Sequence, residues 1–133
     1  MCAVRSALEE GILPGAGKAL DEEADKLVYE PGNESQHIAV QILKSALKAP
    51  MTQILENAGI CVTNVYNGRE AEGEGLNLKT GEKGDLIKMG VIDPLKVTRS
   101  ALQNATSVAS TILSTNAIVT MARSYDTTDG QQG

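Results

Sequence analysis

Near the start of the chain Ala3, Val4, Ala7 and Leu8 recur at the three- and four-residue spacing of a helix face, and Gly11 and Pro14 end the run. A second helix is predicted over residues 17–29, with Ala19, Leu20, Ala24, Leu27 and Val28 inward and Asp21, Glu22, Glu23 and Asp25 outward. Pro31 and Gly32 close it. Asn33 or Ser35 can cap a third helix carrying Ile38, Ile42, Leu43, Ala46 and Leu47. Pro50 has no N–H to donate and crowds the preceding turn, so a break is expected there, with a fourth helix over 51–58. A short helical piece at 62–66 leads into an acidic, glycine-rich stretch, 70–75, of turn chemistry. Segments 76–80 and 85–89 flank Thr80-Gly81-Glu82-Lys83-Gly84 and read as a small hairpin. Asp93-Pro94 then starts the longest helix, which reaches Thr115. There the carboxylate caps orphan N–H groups, and Val97, Ala101, Ala105, Val108, Ala109, Ile112 and Leu113 form a buried stripe. Residues 117–121 read as a strand and 125–133 as a solvated tail.

With 133 residues, 41% of them hydrophobic and 22% charged, the chain has the makeup of one globular domain; collagen-like and disordered classes do not fit. Aromatics change the picture. There is no Trp or Phe and only Tyr29, Tyr66 and Tyr125, so the core must be built from Ala, Val, Ile, Leu and Met, which suits closely approaching helices. A net charge of −5 removes the driving force for sequence-independent nucleic-acid binding. No charged residue occurs in 100–122, yet Gln103, Asn104, Thr106, Ser107 and Ser110 interrupt that stretch at a cost hydrocarbon would not repay. It is read as buried in protein, and no membrane partner is expected. No targeting segment is visible at the start of the chain.

Local chemistry is sparse. Cys2 and Cys61, with the single His37, form neither a disulfide framework nor a zinc site, and no metal site is expected. A catalytic Cys61 would need a base, and His37 lies in a different predicted helix. The loop from Gly11 to Ala19 invites a phosphate-loop reading, but Ile12 stands where that motif needs glycine and Ala19 where it needs Ser or Thr. A dinucleotide fingerprint fails at Leu20, and no strand is expected before it. The acidic run 21–25 reads as a solvated helix face. Asp93 is the one carboxylate in a rigid setting, and its local role is a helix cap.

A resemblance adds what local chemistry does not. Leu8-Glu9-Glu10-Gly11-Ile12-Leu13-Pro14-Gly15-Ala16-Gly17 resembles the VEEGxxxGGG segment of the group I chaperonins, the GroEL-type heat-shock 60 family. Met89-Gly90-Val91-Ile92-Asp93-Pro94-Leu95-Lys96-Val97-Thr98-Arg99-Ser100-Ala101-Leu102-Gln103 is similar to that family's MGIxDPxKVTRxAL segment. Ala49-Pro50-Met51-Thr52-Gln53-Ile54 and Asn57-Ala58-Gly59 match between them, in the same order. The resemblance implies a mainly α fold, the helical C-terminal part of a chaperonin equatorial domain over residues 1–122, with a short β-hairpin, short edge strands and a flexible tail over 123–133.

It further implies part of an ATP-dependent machine that assists the folding of other proteins, in the cytoplasm or an organelle matrix. Gly15, Ala16 and Gly17 are then expected near the nucleotide ribose, Asn77 and Leu78 at the adenine edge, Val91 packed on the base and Asp93 on the ribose hydroxyls. The cofactor implied is ATP or ADP, with Mg2+ held through an N-terminal part outside this chain. The family's phosphate loop and water-activating aspartate also lie outside it, so no catalytic residue is assigned and no hydrolysis is expected from this chain alone. Implied partners are other chaperonin subunits or that N-terminal part, with unfolded clients and a co-chaperonin engaged only through a complete subunit. Departures bear on this: Ala16 adds a methyl at the centre of the glycine triplet, Leu78 and Lys79 replace small residues, and Thr52 stands where bacterial members carry Arg. A second reading is a stand-alone, non-hydrolysing remnant that serves as an oligomerisation or partner-binding module.

Overall fold

The computed structural model describes residues 2–29 and 31–115. Two compact units divide the chain, Met1–Arg99 and Ser100–Gly133. All the strands, four of the five helices found among the described residues, and the apolar core lie in the first.

The first helix, α1 (Cys2–Glu10), ends where Gly11 takes a left-handed φ of 96°, and the chain turns into strand β1 (Ile12–Pro14). A strand therefore does precede the glycine loop, contrary to the sequence expectation. Its partner is non-local: β4 (Ile92–Pro94) runs antiparallel to it, with Leu13 opposite Asp93. Neither strand exceeds three residues, and both are rich in residues whose periodicity is too short to register.

Helix α2 (Lys18–Lys26) buries Ala24 of the apolar stripe read from the sequence, but with it Lys18 and Asp21, while Ala19, Leu20 and Leu27 are half-buried and Val28 is exposed. Asp21 is thus inward, not outward. Its carboxylate lies 3.5 Å from the Lys18 ammonium and 3.5 Å from that of Lys48, so the pair enters partly neutralised and the lysine stem packs as hydrocarbon.

Asn33 caps α3 (Glu34–Asn57) as expected, its side chain accepting the Gln36 N–H at 3.0 Å. The break expected at Pro50 is absent, and a single helix of 24 residues passes through it. The reason is packing. Leu47, Met51 and Leu55 are the buried residues of α3, spaced one turn apart on both sides of Pro50, and burial of that stripe holds the two halves in line. In the first half of the helix the expected inward residues Ile38, Ile42 and Leu43 are exposed.

The short helix α4 (Val62–Val65) completes the core: Met51, Leu55 and Val65, with Ile60, Val62, Tyr66 and Leu76 packed against them. The hairpin exists but sits two residues earlier than read, pairing β2 (Glu74–Leu76) with β3 (Lys83–Asp85). Gly75, opposite Gly84, explains the shift: a Cβ there would stand 2.6 Å from the Tyr66 hydroxyl and 2.8 Å from Leu86 Cδ1, so close packing selects the strand position.

The longest predicted helix is α5 (Leu95–Leu113), which starts after the Asp93-Pro94 pair rather than at it, because both residues belong to β4. None of its residues is buried. The stripe through Val97, Ala101, Ala105, Val108, Ala109, Ile112 and Leu113 is present as a pattern and exposed as a surface, so the expectation that 100–122 is buried fails for residues 101–115. The strand read at 117–121 and the tail at 125–133 lie outside the described residues. No helix among the described residues is long and apolar enough to cross a membrane.

Candidate functional site

The β1 and β4 pair assembles most of the residues the sequence singles out. The Gly15 N–H donates to the Val91 carbonyl at 2.9 Å, which extends the pairing past Pro14 and fixes Gly15 against the residue that precedes β4. A Cβ on Gly15 would lie 3.1 Å from the Val91 and Ile92 backbone, so the approach depends on glycine. Gly17 is constrained twice. Its φ of 74° is left-handed, and an added Cβ would stand 2.6 Å from the Met51 backbone nitrogen. Ala16 between them adopts a φ of 55° and is the only non-glycine residue in that region among those described.

Asp93 is exposed, and no described residue donates to its carboxylate. The expected cap is made differently: the Leu95 N–H at the start of α5 donates to the Gly11 carbonyl at 3.0 Å. A backbone acceptor from the α1 end thus replaces the side chain. That leaves the Asp93 oxygens available to a pair of neighbouring hydroxyls.

Asn77 and Leu78 lie elsewhere on the chain, in the turn after β2. The Asn77 N–H donates to the Glu82 carbonyl at 2.8 Å, its carbonyl accepts from Gly81 N–H at 2.7 Å, and its side-chain oxygen accepts from Lys79 N–H at 3.0 Å. The side-chain amide nitrogen donates to no described residue, and Leu78 is exposed. No hydrogen bond among the described residues links this turn directly to Gly15, Ala16, Gly17 or Asp93. The seven residues form two groups, one on β1 and β4 and one on the hairpin turn.

Lys18, which follows the glycines, points away from any phosphate role. Its ammonium lies 4.5 Å from the centre of the Tyr66 ring and pairs with Asp21. These residues belong to a polar cleft of about 490 Å3 between α2, α3 and the 68–72 segment, which the sequence reading misses because its parts are far apart in the chain. Burial raises the Tyr66 hydroxyl above the ordinary tyrosine range. Across the cleft the Glu70 carboxylate accepts from the Asn67 and Gly68 N–H groups and meets Lys83 at 3.3 Å, which lowers it to about 2. A sequence signal for this cleft exists only in hindsight: Tyr66 is one of three aromatics, and it faces a glycine in β2.

The reactive-group candidates stay apart. Cys61 is exposed with its Sγ 3.0 Å from the Thr63 hydroxyl, a contact that lowers the thiol, while His37 sits edge-on to Tyr29 at 4.2 Å. Among the described residues no group of three or more His, Cys, Asp or Glu side chains is placed to hold a metal ion.

Comparison with known proteins accords with this architecture. A crystal structure of a group III chaperonin in the open state is similar to this chain, with a TM-score of 0.65 and 31% sequence identity over 86% of the chain. The chain spans 25% of the length of that protein. The neighbour being of group III, the likeness does not carry the group I assignment drawn from the sequence segments. The model of the TCP-1/cpn60 chaperonin family matches residues 1–123, nearly the whole chain, and with the helical fold and the β1 and β4 pairing this shows that the chain belongs to the TCP-1/cpn60 chaperonin family.

Proposed function

We propose that the chain serves an ATP-dependent chaperonin of the group I type, supplying the adenosine side of its nucleotide site. The observation that carries this is the Asp93 carboxylate, held on β4 opposite Leu13, two residues after Val91, whose carbonyl binds Gly15 N–H, and relieved of helix capping by the Gly11 carbonyl. In this reading the Asp93 oxygens accept the two ribose hydroxyls, Val91 offers an apolar surface to the base, and Gly15, Ala16 and Gly17 let the backbone approach the sugar. The Asn77 amide nitrogen supplies a donor for the adenine edge, with Leu78 beside it. These donors and acceptors fit an adenosine group. They do not fit the terminal phosphates, since Lys18 is committed to Tyr66 and Asp21. Bound ATP with Mg2+ would supply the hydrolysable phosphoanhydride; the residues here bind and orient, and the folding of client proteins belongs to a complete subunit with its neighbours.

The test is calorimetric titration of the full chain with adenosine, ADP and ATP. All three should bind weakly and with nearly equal affinity. Asp93→Ala should weaken each by about 1–3 kcal/mol, the cost of an orphaned hydrogen-bonding partner. Because Asp93 does not cap α5, that loss should come without a drop in thermal stability. Asp93→Asn should fall between, as one acceptor oxygen remains. Equal binding by wild type and Asp93→Ala sinks the reading.

The second reading, an oligomerisation or partner-binding module, is favoured by the exposed Val4, Leu8, Ile42, Val108 and Leu113. Sedimentation at rising concentration tests it: a monomer throughout would count against it.

A further inference from the structure

The two groups of candidate residues have no direct bond, yet one side chain touches the neighbours of both. Tyr66 carries the Lys18 ammonium over its ring at 4.5 Å, and Lys18 follows Gly17. The same tyrosine's hydroxyl accepts the Leu76 N–H at 3.2 Å, and Leu76 precedes Asn77. We propose that Tyr66 is a positioning residue that sets the Asn77 turn at its distance from the glycine loop, gripping the loop through Lys18 and the hairpin through Leu76.

Three further features hold the grip in place. Gly75 has an ordinary backbone, so its lack of a side chain serves space: a Cβ would be 2.6 Å from the Tyr66 oxygen, and the hydroxyl fills that gap. Gly17 presses on the Met51 backbone while Tyr66 and Leu76 pack on the Met51, Leu55 and Val65 cluster, so both ends of the bridge rest on one core. Asp21 pairs with the Lys18 ammonium and is itself paired with Lys48 of α3, which limits the freedom of Lys18 to leave the ring. A cation held over an aromatic face and a desolvated hydroxyl acceptor both lose energy if either end shifts. The geometry of the bridge stands by itself; its consequence for affinity rests on the adenosine reading above.

The experiment uses amide hydrogen exchange by NMR and adenosine titration on the full chain. Tyr66→Phe keeps the ring and removes the acceptor, so exchange at Leu76 and Asn77 should accelerate about tenfold while the Lys18 amide is unchanged. Tyr66→Leu removes both grips and should accelerate Lys18 as well. Lys18→Met, which keeps the apolar stem, should loosen the loop amides alone. Tyr66→Phe and Lys18→Met should each weaken adenosine binding by about two- to tenfold, with the double variant losing less than the product, as expected for residues acting through one relay. Leu47→Ala, which removes a buried α3 side chain outside the Met51, Leu55 and Val65 cluster, should leave affinity unchanged. Unaltered adenosine affinity in Tyr66→Phe, in a chain where Asp93→Ala does weaken binding, overturns the proposal and spares the nucleotide reading. Where wild type binds no adenosine, that reading fails, and exchange decides the bridge: acceleration in Tyr66→Leu confined to the hairpin overturns it.

Discussion

The second half of α3 and the length of α5 carry the same kind of sequence pattern and meet opposite fates. Leu47, Met51 and Leu55 recur every turn, and the latter two are 3% exposed. Val97, Ala101, Val108 and Ile112 recur as regularly, and Val108 and Ile112 are 60% and 47% exposed. Periodicity reports which face of a helix is apolar, and nothing about what covers it. The α3 stripe is covered because Val65 and Leu76 pack on it, whereas α5 has no buried residue.

The largest consequence is a difference in what a truncation costs. Met51→Ala should destabilise by about 2–5 kcal/mol, the range for a buried apolar side chain that leaves a cavity. Val108→Ala should stay within about 0.5 kcal/mol, as for an exposed position. Denaturant midpoints at fixed slope measure both. Equal losses would break the comparison. A Val108→Ala loss that grows with protein concentration would sharpen it, by showing that copies cover the α5 face.

Pro50 gives a smaller test with the opposite sign. It is exposed in the interior of α3 and cannot donate to the Ala46 carbonyl, so the helix continues at a penalty that the buried stripe offsets. Pro50→Ala restores the donor and should raise stability by about 1–3 kcal/mol. A loss instead would mean that the proline ring itself is needed to seat Met51 and Leu55.

These cases show how far the sequence could be read. Helix ends governed by one residue were legible: Asn33 as a cap and Gly11 as a stop act through their own side chain or backbone freedom. Pro50 misled because its local penalty is smaller than the burial of three side chains that flank it. Asp93 misled because a carbonyl from Gly11, far off in the chain, took its capping role. The same distance hid the cleft. Lys18, Tyr66 and Leu76 meet only after α2, α4 and the hairpin pack, while Gly15 and Asp93 stand out in the sequence through their motifs and lie on neighbouring segments that pair.

The smallest effect separates how the two regions are tied at their polar edges. Beside the α3 core, Glu70 accepts two backbone N–H groups in addition to Lys83; at the start of α5, Lys96 and Arg99 pair with Glu9 and Glu10 side chain to side chain on the surface. All three carboxyls are lowered, Glu70 to about 2 from 4.5. A lowered carboxyl adds stability that is fully present above its unfolded value and disappears as pH falls through the folded one. Stability should therefore decline between pH 4.5 and about 2. Glu70→Gln should reduce that slope more than Glu9→Gln. Salt distinguishes the two edges, because exposed ion pairs are screened over roughly 3 Å at 1 M ionic strength, whereas short bonds from fixed backbone N–H groups are not. In 1 M sodium chloride, a concentration of the order used for such screening, the Glu9 contribution should vanish and most of the Glu70 contribution persist. Urea titrations across this pH range at both salt levels read the result, and a Glu70 slope as salt-sensitive as that of Glu9 would mean that Lys83, not the backbone, holds this edge.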